Sequence, residues 1–327
     1  MRHRQLGRTG FAVSEIGFGA WAIGGDWGDV DDAASLRALH ASADAGVTFY
    51  DTADVYGDGR SERLIGRFLR ERAGERLIVA TKIGRRAPLD MGEYTRAHFR
   101  EWAERCRENL GVPTLDLVQL HCLPTDSYYR PALFEYLDEL RADGVLAHYG
   151  VSVERVEEAL KAIEYPGVAT VQIIYNIFRQ RPAELFFPRA RARQVGVIAR
   201  VPLASGLLTG KLRPETAFES SDHRSYNRQG EAFDAGETFA GVDYETGLAA
   251  VERLRGLLPG GAPMSAWALR WILMEAAVST VIPGAKTDQQ AVANARASDL
   301  AALEPEVMAA VADLYRTEIA PRVHQRW

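Results

Sequence analysis

The sequence predicts one α/β domain over residues 1–327, folded as a (β/α)8 TIM barrel with an N-terminal β-hairpin and a long loop after strand 7. Three observations support this prediction. Short β-rich runs recur eight times, amphipathic helical stretches lie between most of them, and no low-complexity linker interrupts the chain. Because strands alternate with helices, we expect a parallel sheet covered by helices, and eight strands favour a closed barrel.

The eight predicted strands are short runs rich in β-branched and aromatic residues. They cover residues 14–19, 47–53, 77–83, 115–121, 147–153, 169–176, 195–201 and 279–284. The first seven follow one another at intervals that suit one βα unit each. The eighth begins about 80 residues after the seventh. Ahead of the first strand, two strand-like pieces flank GRTG, which predicts a hairpin that closes one end of the barrel.

The predicted helices have apolar residues at helical spacing and recognisable ends. In the stretch 60–74, Leu64, Phe68 and Leu69 share one face and Gly74 ends the helix. Further helices are predicted at 31–46, 95–111, 130–144, 154–167, 246–258, 264–277 and 304–320. Residues 205–245 are instead rich in Gly, Ser and charge, with little periodicity, and so long a loop is usually functional.

The composition is that of a soluble globular protein, with 47% hydrophobic and 25% charged residues. A formal net charge of −5 argues against non-specific nucleic-acid binding. The N-terminus lacks the apolar core of a signal peptide, and no apolar stretch is long enough to span a bilayer, so we expect a cytoplasmic protein without a membrane partner. Two cysteines, Cys106 and Cys122, imply no disulfide framework, and no Cys/His spacing indicates a metal site.

Four residues near the ends of three consecutive predicted strands point to chemistry, namely Asp51, Tyr56, Lys82 and His121. Such strand ends converge on one mouth of a barrel. A lysine beside a tyrosine can lower the pKa of the phenol towards neutrality, which suits protonation of a carbonyl oxygen. Each residue alone has an ordinary structural explanation, but four complementary groups in one mouth indicate an active site.

The segment FYDTADVYGDGRSE, which carries Asp51 and Tyr56, resembles the active-site segment of the aldo-keto reductases. The resemblance extends in family order through RQLGRTGFAVSEIGFGAW, ATKIG, LDLVQLH, YGVSV, VQIIYN, PLASGLLTGK and VIPGAKTDQQAVAN. It implies a barrel oxidoreductase that binds NADPH in an extended form, with NADH as the alternative, and reduces a small-molecule carbonyl. The glycines of GFGAWAIGG agree, because they do not form the G-x-G-x-x-G turn of Rossmann domains.

The resemblance also implies a role for each of the four residues. Tyr56 is the general acid on the substrate carbonyl and the base in the reverse direction. Lys82 lowers the pKa of Tyr56, and Asp51 pairs with Lys82 to hold it. His121 orients and polarises the carbonyl, while the nicotinamide supplies the hydride.

The resemblance further implies which residues bind the cofactor. Ser152 and Gln172 match the residues that hold the nicotinamide carboxamide, the loop around Ser205 meets the pyrophosphate, and the segment 284–294 lies at the adenosine end. The full set is Trp21, Ser152, Gln172, Arg200, Pro202, Leu203, Ser205, Gly206, Leu208, Lys211, Gly284, Lys286, Gln290 and Asn294. Trp21 is also expected to form an apolar wall for the substrate.

Three positions depart from the family pattern. Val153 stands where an asparagine usually binds the carboxamide, and Asn176 is a nearby polar substitute. Arg200 stands where many relatives stack an aromatic ring on the nicotinamide; a planar guanidinium can also stack, or it can meet a substrate anion. Gln290 replaces an arginine that would contact a 2′-phosphate. Lys286 can supply that charge, so NADPH remains the favoured cofactor.

Loops after strands 1, 4 and 7 are expected to set the substrate. They contain Asp26, Trp27, the substrate candidates Tyr128, Tyr129 and Arg130, and the segment 205–245. This set favours a polar carbonyl such as a sugar or a hydroxylated aldehyde. Two other functions stay open: a Schiff-base aldolase at Lys82, which a neighbouring Asp51 disfavours, and a nucleotide-binding regulatory subunit like those attached to potassium channels. The residues do not indicate an oligomeric state.

Overall fold

The computed structural model describes residues 1–25 and 31–327. Eight parallel strands form one curved sheet in the order β3 to β10, preceded by an antiparallel hairpin of β1 and β2. The strands are β1 His3–Gln5, β2 Ala12–Ser14, β3 Phe18–Gly19, β4 Phe49–Asp51, β5 Ile78–Ile83, β6 Leu115–His121, β7 Leu146–Ser152, β8 Val168–Ile174, β9 Gly196–Arg200 and β10 Val278–Val281. The predicted barrel fold is confirmed.

Backbone hydrogen bonds join the two edges of the sheet. Gly17 N–H donates to the carbonyl of Val281 at 2.8 Å, and Gly19 N–H donates to that of Pro283 at 3.0 Å. A Cβ atom at Gly19 would lie 2.7 Å from the carbonyl oxygen of Ile282, so glycine permits this close approach. Of the predicted first strand, Ser14 belongs to β2 and Phe18–Gly19 forms β3, while Ile16 pairs with Val281 of β10 through an isolated bridge.

The hairpin fills the N-terminal end of the barrel. Leu6 and Val13 are fully buried there against Phe49, Ile78 and Leu117, whose side chains point inward. Apolar packing therefore closes this end and leaves the C-terminal end for polar groups. A different depression of about 600 Å³ lies beside the hairpin, and its lining includes none of the predicted site residues.

The register of the parallel strands brings polar residues to the same level at the C-terminal end. Lys82 lies opposite Gln119, His121 opposite Ser152, and Ser152 opposite Gln172. Since neighbouring strand ends are level, side chains from β5, β6, β7 and β8 meet around one opening.

Each predicted helix is present, and the observed helices are mostly shorter than predicted at their ends. They are α1 Trp21–Gly24, α2 Asp32–Asp44, α3 Arg60–Glu71, α4 Arg96–Leu110, α5 Pro131–Ala142, α6 Val156–Ala162, α7 Phe186–Ala192, α8 His223–Tyr226, α9 Tyr244–Leu257, α10 Met264–Leu273, α11 Asp288–Ala295, α12 Pro305–Leu314 and α13 Ala320–Val323. Caps fix several ends: Thr95 accepts from the His98 N–H, and Gly111 adopts a left-handed conformation after α4. Of these helices, α1, α7, α8, α11 and α13 were not predicted, because segments of one or two turns show little periodicity.

The segment 205–245 follows β9, as predicted, but it contains short helices that the sequence pattern did not reveal. They are α8 and the 3-10 turns Ala235–Glu237 and Phe239–Gly241. The Ser205 hydroxyl donates to the Glu237 carbonyl and accepts from the Phe239 N–H, both at 3.0 Å. The Trp327 indole N–H donates to Asp234 Oδ1 at 2.8 Å, so the end of the chain also contacts this segment.

Cys106 and Cys122 are both buried and not disulfide-bonded. Within residues 1–25 and 31–327, no helix is long and apolar enough to cross a membrane.

Candidate active site

A cleft of about 490 Å³ opens at the C-terminal end of the barrel, between the strand ends and the segments that follow β9 and β10. Its volume lies within the usual range of cofactor and ligand sites. Of the predicted site residues, sixteen line it: Trp21, Asp51, Tyr56, His121, Ser152, Gln172, Arg200, Pro202, Leu203, Ser205, Gly206, Lys211, Gly284, Lys286, Gln290 and Asn294. Lys82 lies directly beneath the floor and is almost fully buried.

Tyr56 is held by close packing of its loop against α1. Gly57 has a φ of +60°, and a Cβ atom there would lie 2.2 Å from the carbonyl oxygen of Gly24. Glycine at position 57 therefore allows the two backbones to touch. The Trp21 ring lies parallel to the Tyr56 ring with centroids 6.0 Å apart, which fixes the face of the phenol.

The Lys82 ammonium is bound on three sides. Its Nζ donates to Asp51 Oδ1 at 2.5 Å, to the Thr52 carbonyl at 2.9 Å and to the Tyr56 hydroxyl at 3.2 Å. Burial disfavours the charged amine, but Asp51 raises the pKa of Lys82 above its ordinary value. Lys82 is therefore a charged donor rather than a nucleophilic amine, which argues against a Schiff base at this residue.

Lys82 lowers the pKa of Tyr56, as expected, but the pKa of the phenol as a whole is not brought towards neutrality. Burial raises the pKa of the Tyr56 phenol above its ordinary value, and the nearby Lys82 ammonium offsets only part of that effect. Asp51 and Glu237 also raise it. Tyr56 is consequently protonated at neutral pH, which is the form that can donate a proton to a carbonyl oxygen.

His121 ends β6 beside Tyr56, with ring centroids 5.8 Å apart in an edge-to-face arrangement. Burial lowers the pKa of His121 well below its ordinary value, and Arg85, Lys82 and Arg200 add to the effect. The imidazole is therefore neutral at physiological pH. A neutral histidine with its proton on the nitrogen that faces the cleft can donate a hydrogen bond to a carbonyl oxygen.

Ser152 and Gln172 form the adjoining wall. The Ser152 hydroxyl donates to Gln172 Oε1 at 3.4 Å, and Gln172 Nε2 donates to Asp51 Oδ2 at 2.7 Å. Asn176 does not join them, because its amide donates to the Val201 carbonyl at 2.9 Å and its oxygen accepts from the Phe178 N–H. The proposed substitution of Asn176 for the usual asparagine is therefore wrong.

Arg200 belongs to a buried group that the sequence did not predict, here called the arginine–glutamate cluster: Arg85, Glu154, Arg200 and Glu237. Arg200 donates to Glu154 at 2.7 Å and to the Val153 carbonyl at 3.1 Å, while Arg85 donates to Glu237 at 2.8 Å. Glu237 lines the cleft and belongs to the segment 205–245. The cluster therefore ties that segment to the barrel.

The two carboxyl groups of the cluster have opposite pKa shifts. Burial raises the pKa of Glu154 to about 8, with Glu237 adding to the effect and Arg200 opposing it. Burial alone would also raise the pKa of Glu237, but Arg85 and Arg200 lower it to about 2. At neutral pH Glu154 is therefore largely protonated and Glu237 is ionised.

This difference predicts a pH dependence of stability. The native state keeps the Glu154 proton between the ordinary glutamate pKa and about pH 8, where the unfolded chain has lost it, so the free energy of unfolding falls as pH rises through that window. We expect Glu154→Gln to reduce this fall by about 1–3 kcal/mol between pH 6 and pH 9. Urea denaturation at both pH values measures it.

The matched control for Glu154→Gln is Glu157→Gln, since Glu157 pairs with Arg181 at an exposed position and is ionised throughout this pH range. Glu157→Gln should keep the wild-type pH dependence of the free energy of unfolding. If wild type and Glu154→Gln had equal pH dependence, Glu154 would not be the group that causes it.

The loop after β9 has an unusual backbone. Val201, Ala204 and Ser205 have φ of 50°, 47° and 52°, and Gly206 has φ of 102°. Left-handed conformations are rare for residues with side chains, especially β-branched ones, and cluster at ligand sites. Leu208 was predicted to belong to the loop whose backbone meets the cofactor. Its side chain is fully buried in the core and does not line the cleft, because the 3-10 turn Ala204–Thr209 directs it inward, so a contact through its backbone stays a prediction.

Side-chain amides stabilise the segment after β10. Gln290 Oε1 accepts from the Lys286 N–H at 2.8 Å, and Asn294 Nδ2 donates to the Gly284 carbonyl at 3.1 Å. These bonds fix the backbone beside Lys286, which lines the cleft, as does Lys211. Arg224, a residue that the sequence did not single out, also lines the cleft and donates to the Ser205 carbonyl at 3.3 Å.

The predicted substrate residues of the loop after strand 4 lie elsewhere. Tyr128 is fully buried with its hydroxyl directed at the Ser152 carbonyl, Tyr129 is 62% exposed beneath Lys161, and Arg130 donates to the Met91 carbonyl. None of the three lines the cleft as the structure describes it, so this geometry does not support their assignment to the substrate. Asp26 and Trp27 lie outside the described residues.

Aromatic groups from the segment 205–245 take the place beside Trp21 instead. The His223 ring lies 4.8 Å from the Trp21 ring, and the Phe233 ring lies 5.8 Å from it, centroid to centroid. Neither residue was predicted, because the segment has no periodic pattern that indicates which side chains face the barrel.

Comparisons with known proteins agree with this geometry. The model of the aldo/keto reductase family matches residues 15–316. Aldo-keto reductase YhdN of Bacillus subtilis (strain 168) is 30% identical over 89% of this chain and 86% of its own. A probable voltage-gated potassium channel subunit beta of Oryza sativa subsp. japonica is 29% identical over 94% of each chain. The glycerol dehydrogenase AKR11B4 from Gluconobacter oxydans superimposes with a TM-score of 0.76, 29% identity, and coverage of 98% of this chain and 96% of that one.

Proposed function

Because this chain belongs to the aldo/keto reductase family, a family of oxidoreductases of carbonyl and alcohol groups, we propose that it reduces a polar aldehyde or ketone with NADPH and that Tyr56 donates the proton. One observation carries this proposal. The Lys82 ammonium is bound at once to the Asp51 carboxylate and the Tyr56 phenol, at the floor of a cleft large enough for a cofactor.

The residues around the cleft fit a dinucleotide. Ser152 and Gln172 offer a hydroxyl and an amide beside the catalytic floor, where a carboxamide needs donors and acceptors. Ser205 and Gly206 line the cleft in a left-handed backbone of the kind that receives phosphate oxygens, although the Ala204 and Gly206 N–H groups donate to the Val201 and Leu203 carbonyls. Lysines farther along the cleft complete an anion-binding surface.

The reaction needs a proton donor and a group that stabilises the charge left on that donor. When bound, the reduced nicotinamide supplies the hydride to the carbonyl carbon. Tyr56 donates its phenolic proton to the carbonyl oxygen, and the Lys82 ammonium, 3.2 Å away, stabilises the phenolate that remains. Neutral His121 donates a hydrogen bond to the same oxygen and orients the substrate. Alcohol oxidation reverses these proton transfers.

Lys286 supports NADPH over NADH. Its backbone is fixed by Gln290, and it lines the end of the cleft where a 2′-phosphate would lie. We expect Lys286→Met to raise the Kd for NADPH about tenfold and to change that for NADH less than twofold, because one charge-assisted bond to a phosphate is lost. Fluorescence titration of both nucleotides measures this.

The control for Lys286→Met is Lys161→Met, since Lys161 lies on α6, pairs with Glu164 and does not line the cleft. It should leave both dissociation constants unchanged. An equal loss for NADPH and NADH in Lys286→Met would contradict a contact with the 2′-phosphate.

A polar, hydroxylated carbonyl is the proposed substrate. The tyrosines that first suggested it do not reach the cleft, but Glu237 and Arg224 line it and offer charged hydrogen-bonding groups. The similarity to a glycerol dehydrogenase supports the same substrate class. A panel of aldoses, ketoses, hydroxylated aldehydes and apolar aldehydes tests it, and turnover confined to apolar aldehydes would contradict it.

The similarity to a potassium channel subunit makes a regulatory subunit the alternative function. One experiment distinguishes the two. NADPH binding is measured first by fluorescence titration, and its oxidation is then followed with the substrate panel. We expect tight binding and steady turnover with at least one carbonyl. Tight binding without multiple turnovers on any of them would support the regulatory role instead.

A further inference from the structure

We infer that Gln119 and Gln172 are positioning residues that together hold Asp51 and thereby set the charge that Lys82 presents to Tyr56. This inference rests on the proposed function and adds Gln119 to its machinery. Gln119 belongs to β6 and Gln172 to β8, so the two amides approach Asp51 from different strands.

The contacts around Asp51 divide its two oxygens between different partners. Oδ1 accepts from Lys82 Nζ at 2.5 Å. Oδ2 accepts from Gln172 Nε2 at 2.7 Å and from Gln119 Nε2 at 3.3 Å. Asp51 and both glutamines are almost fully buried, so these are the groups that replace water around the carboxylate.

The two N–H donors on Oδ2 hold the Asp51 carboxylate with Oδ1 directed at Lys82 Nζ. If one donor is removed, the carboxylate can turn, and the Lys82 ammonium is held less firmly. The positive charge is then less well placed beside the Tyr56 oxygen, 3.2 Å away, and the phenolate is less well stabilised.

Packing alone does not explain Gln119. Its side chain is fully buried, and its Oε1 has no hydrogen-bond partner among the described residues. An unpaired buried oxygen is unfavourable, so methionine or leucine would fill the same space at lower free energy. The donor end of the amide, which meets Asp51, is what such residues would lack. Gln119 does not line the cleft, whereas Gln172 does.

The charged and titratable groups that face Tyr56 come from several elements. They are Asp51 of β4, Lys82 of β5, His121 of β6 and Glu237 of the segment 205–245. Replacing Gln119 removes none of these four groups, so a change in the titration of Tyr56 would report on how firmly Asp51 holds the Lys82 ammonium beside it.

The test is Gln119→Met, which keeps volume and removes the donor. We expect kcat for carbonyl reduction to fall about three- to tenfold. Reduction requires protonated Tyr56, so its rate falls on the alkaline limb of the pH–rate profile. Oxidation requires the phenolate, so its rate falls on the acidic limb. A less stable phenolate moves both limbs to higher pH. We expect shifts of about half a unit to one unit, measured from about pH 7 to pH 11.5 so that the range includes a phenol pKa above its ordinary value. The Kd for NADPH should not change.

Two comparisons make the result decisive. Thr280→Val removes a fully buried hydroxyl of β10 that does not contact Asp51, and it should leave both limbs in place. Gln172→Met should move both limbs upward as Gln119→Met does, and should also raise the Kd for NADPH. It tests the same inference if Gln119→Met does not fold.

The inference would be overturned if a folded, active Gln119→Met or Gln172→Met variant had the limbs of its pH–rate profiles at the same pH as the wild type. A uniform loss of kcat without movement of the limbs would do so too, because that is the effect of a purely structural role. Failure of the proposed function looks different: the wild-type protein itself would then show no turnover with NADPH and any carbonyl.

Discussion

Replacement of Tyr56 by phenylalanine is expected to lower kcat for carbonyl reduction by at least about 10³-fold, because the phenol is the proton donor at the floor of the cleft. The ring remains, so its packing against Trp21 and against the backbone of α1 is preserved. Removing the hydroxyl leaves Lys82 bound to Asp51 and Thr52. Folding and the Kd for NADPH should therefore stay close to wild type.

Steady-state kinetics and NADPH fluorescence titration on the same preparation separate these two expectations. Tyr129→Phe is the matched control, since Tyr129 is an exposed tyrosine that does not line the cleft. It should keep full activity. If Tyr56→Phe retained more than about a tenth of wild-type kcat, Tyr56 would not be the general acid.

Replacement of Lys82 by methionine is expected to lower kcat about 10²- to 10³-fold and the free energy of unfolding by about 3–5 kcal/mol. Activity falls because the phenolate loses its nearest positive charge. Stability falls because the Asp51 carboxylate, almost fully buried, keeps no cationic partner. Urea denaturation at neutral pH and kinetics with a saturating carbonyl measure the two effects.

The double variant Asp51→Asn with Lys82→Met distinguishes the causes. Removing both charges leaves no unpaired ion, so stability should recover most of its loss while activity stays low. Recovery of activity along with stability would mean that Lys82 acts only by holding the fold. Lys161→Met again serves as the control for the loss of a lysine.

The strand–helix alternation was sufficient to predict the barrel, because each strand is a short apolar run whose helix carries its own caps. It was also sufficient to place Asp51, Lys82 and His121 around one opening, since parallel strand ends must meet there. What the pattern could not give is the direction of side chains in irregular segments. Tyr128 and Tyr129 are neighbours in sequence, yet one is buried in the core and the other faces solvent.

The pKa shifts and the contacts between charged residues far apart in sequence could not be predicted for a different reason. The raised pKa of Tyr56 depends on how deeply its ring is buried, which no local motif encodes. Glu237 meets Arg85 only because the segment 205–245 folds back over the barrel. The contact of the Gln119 amide with Asp51 could not be predicted either, because Gln119 is a single polar residue in the middle of an apolar strand.

The arginine–glutamate cluster constrains how this branch of the family can diverge. An aromatic ring at position 200 would leave Glu154 without its shortest hydrogen bond from an arginine, and Arg85 would be the remaining arginine of the cluster beside Glu237. A single exchange at position 200 is therefore disfavoured, and we expect a lineage that gains the ring to alter at least one of the glutamates as well. We expect homologues to differ at positions 154, 200 and 237 together. Few of them should combine an aromatic residue at position 200 with both glutamates.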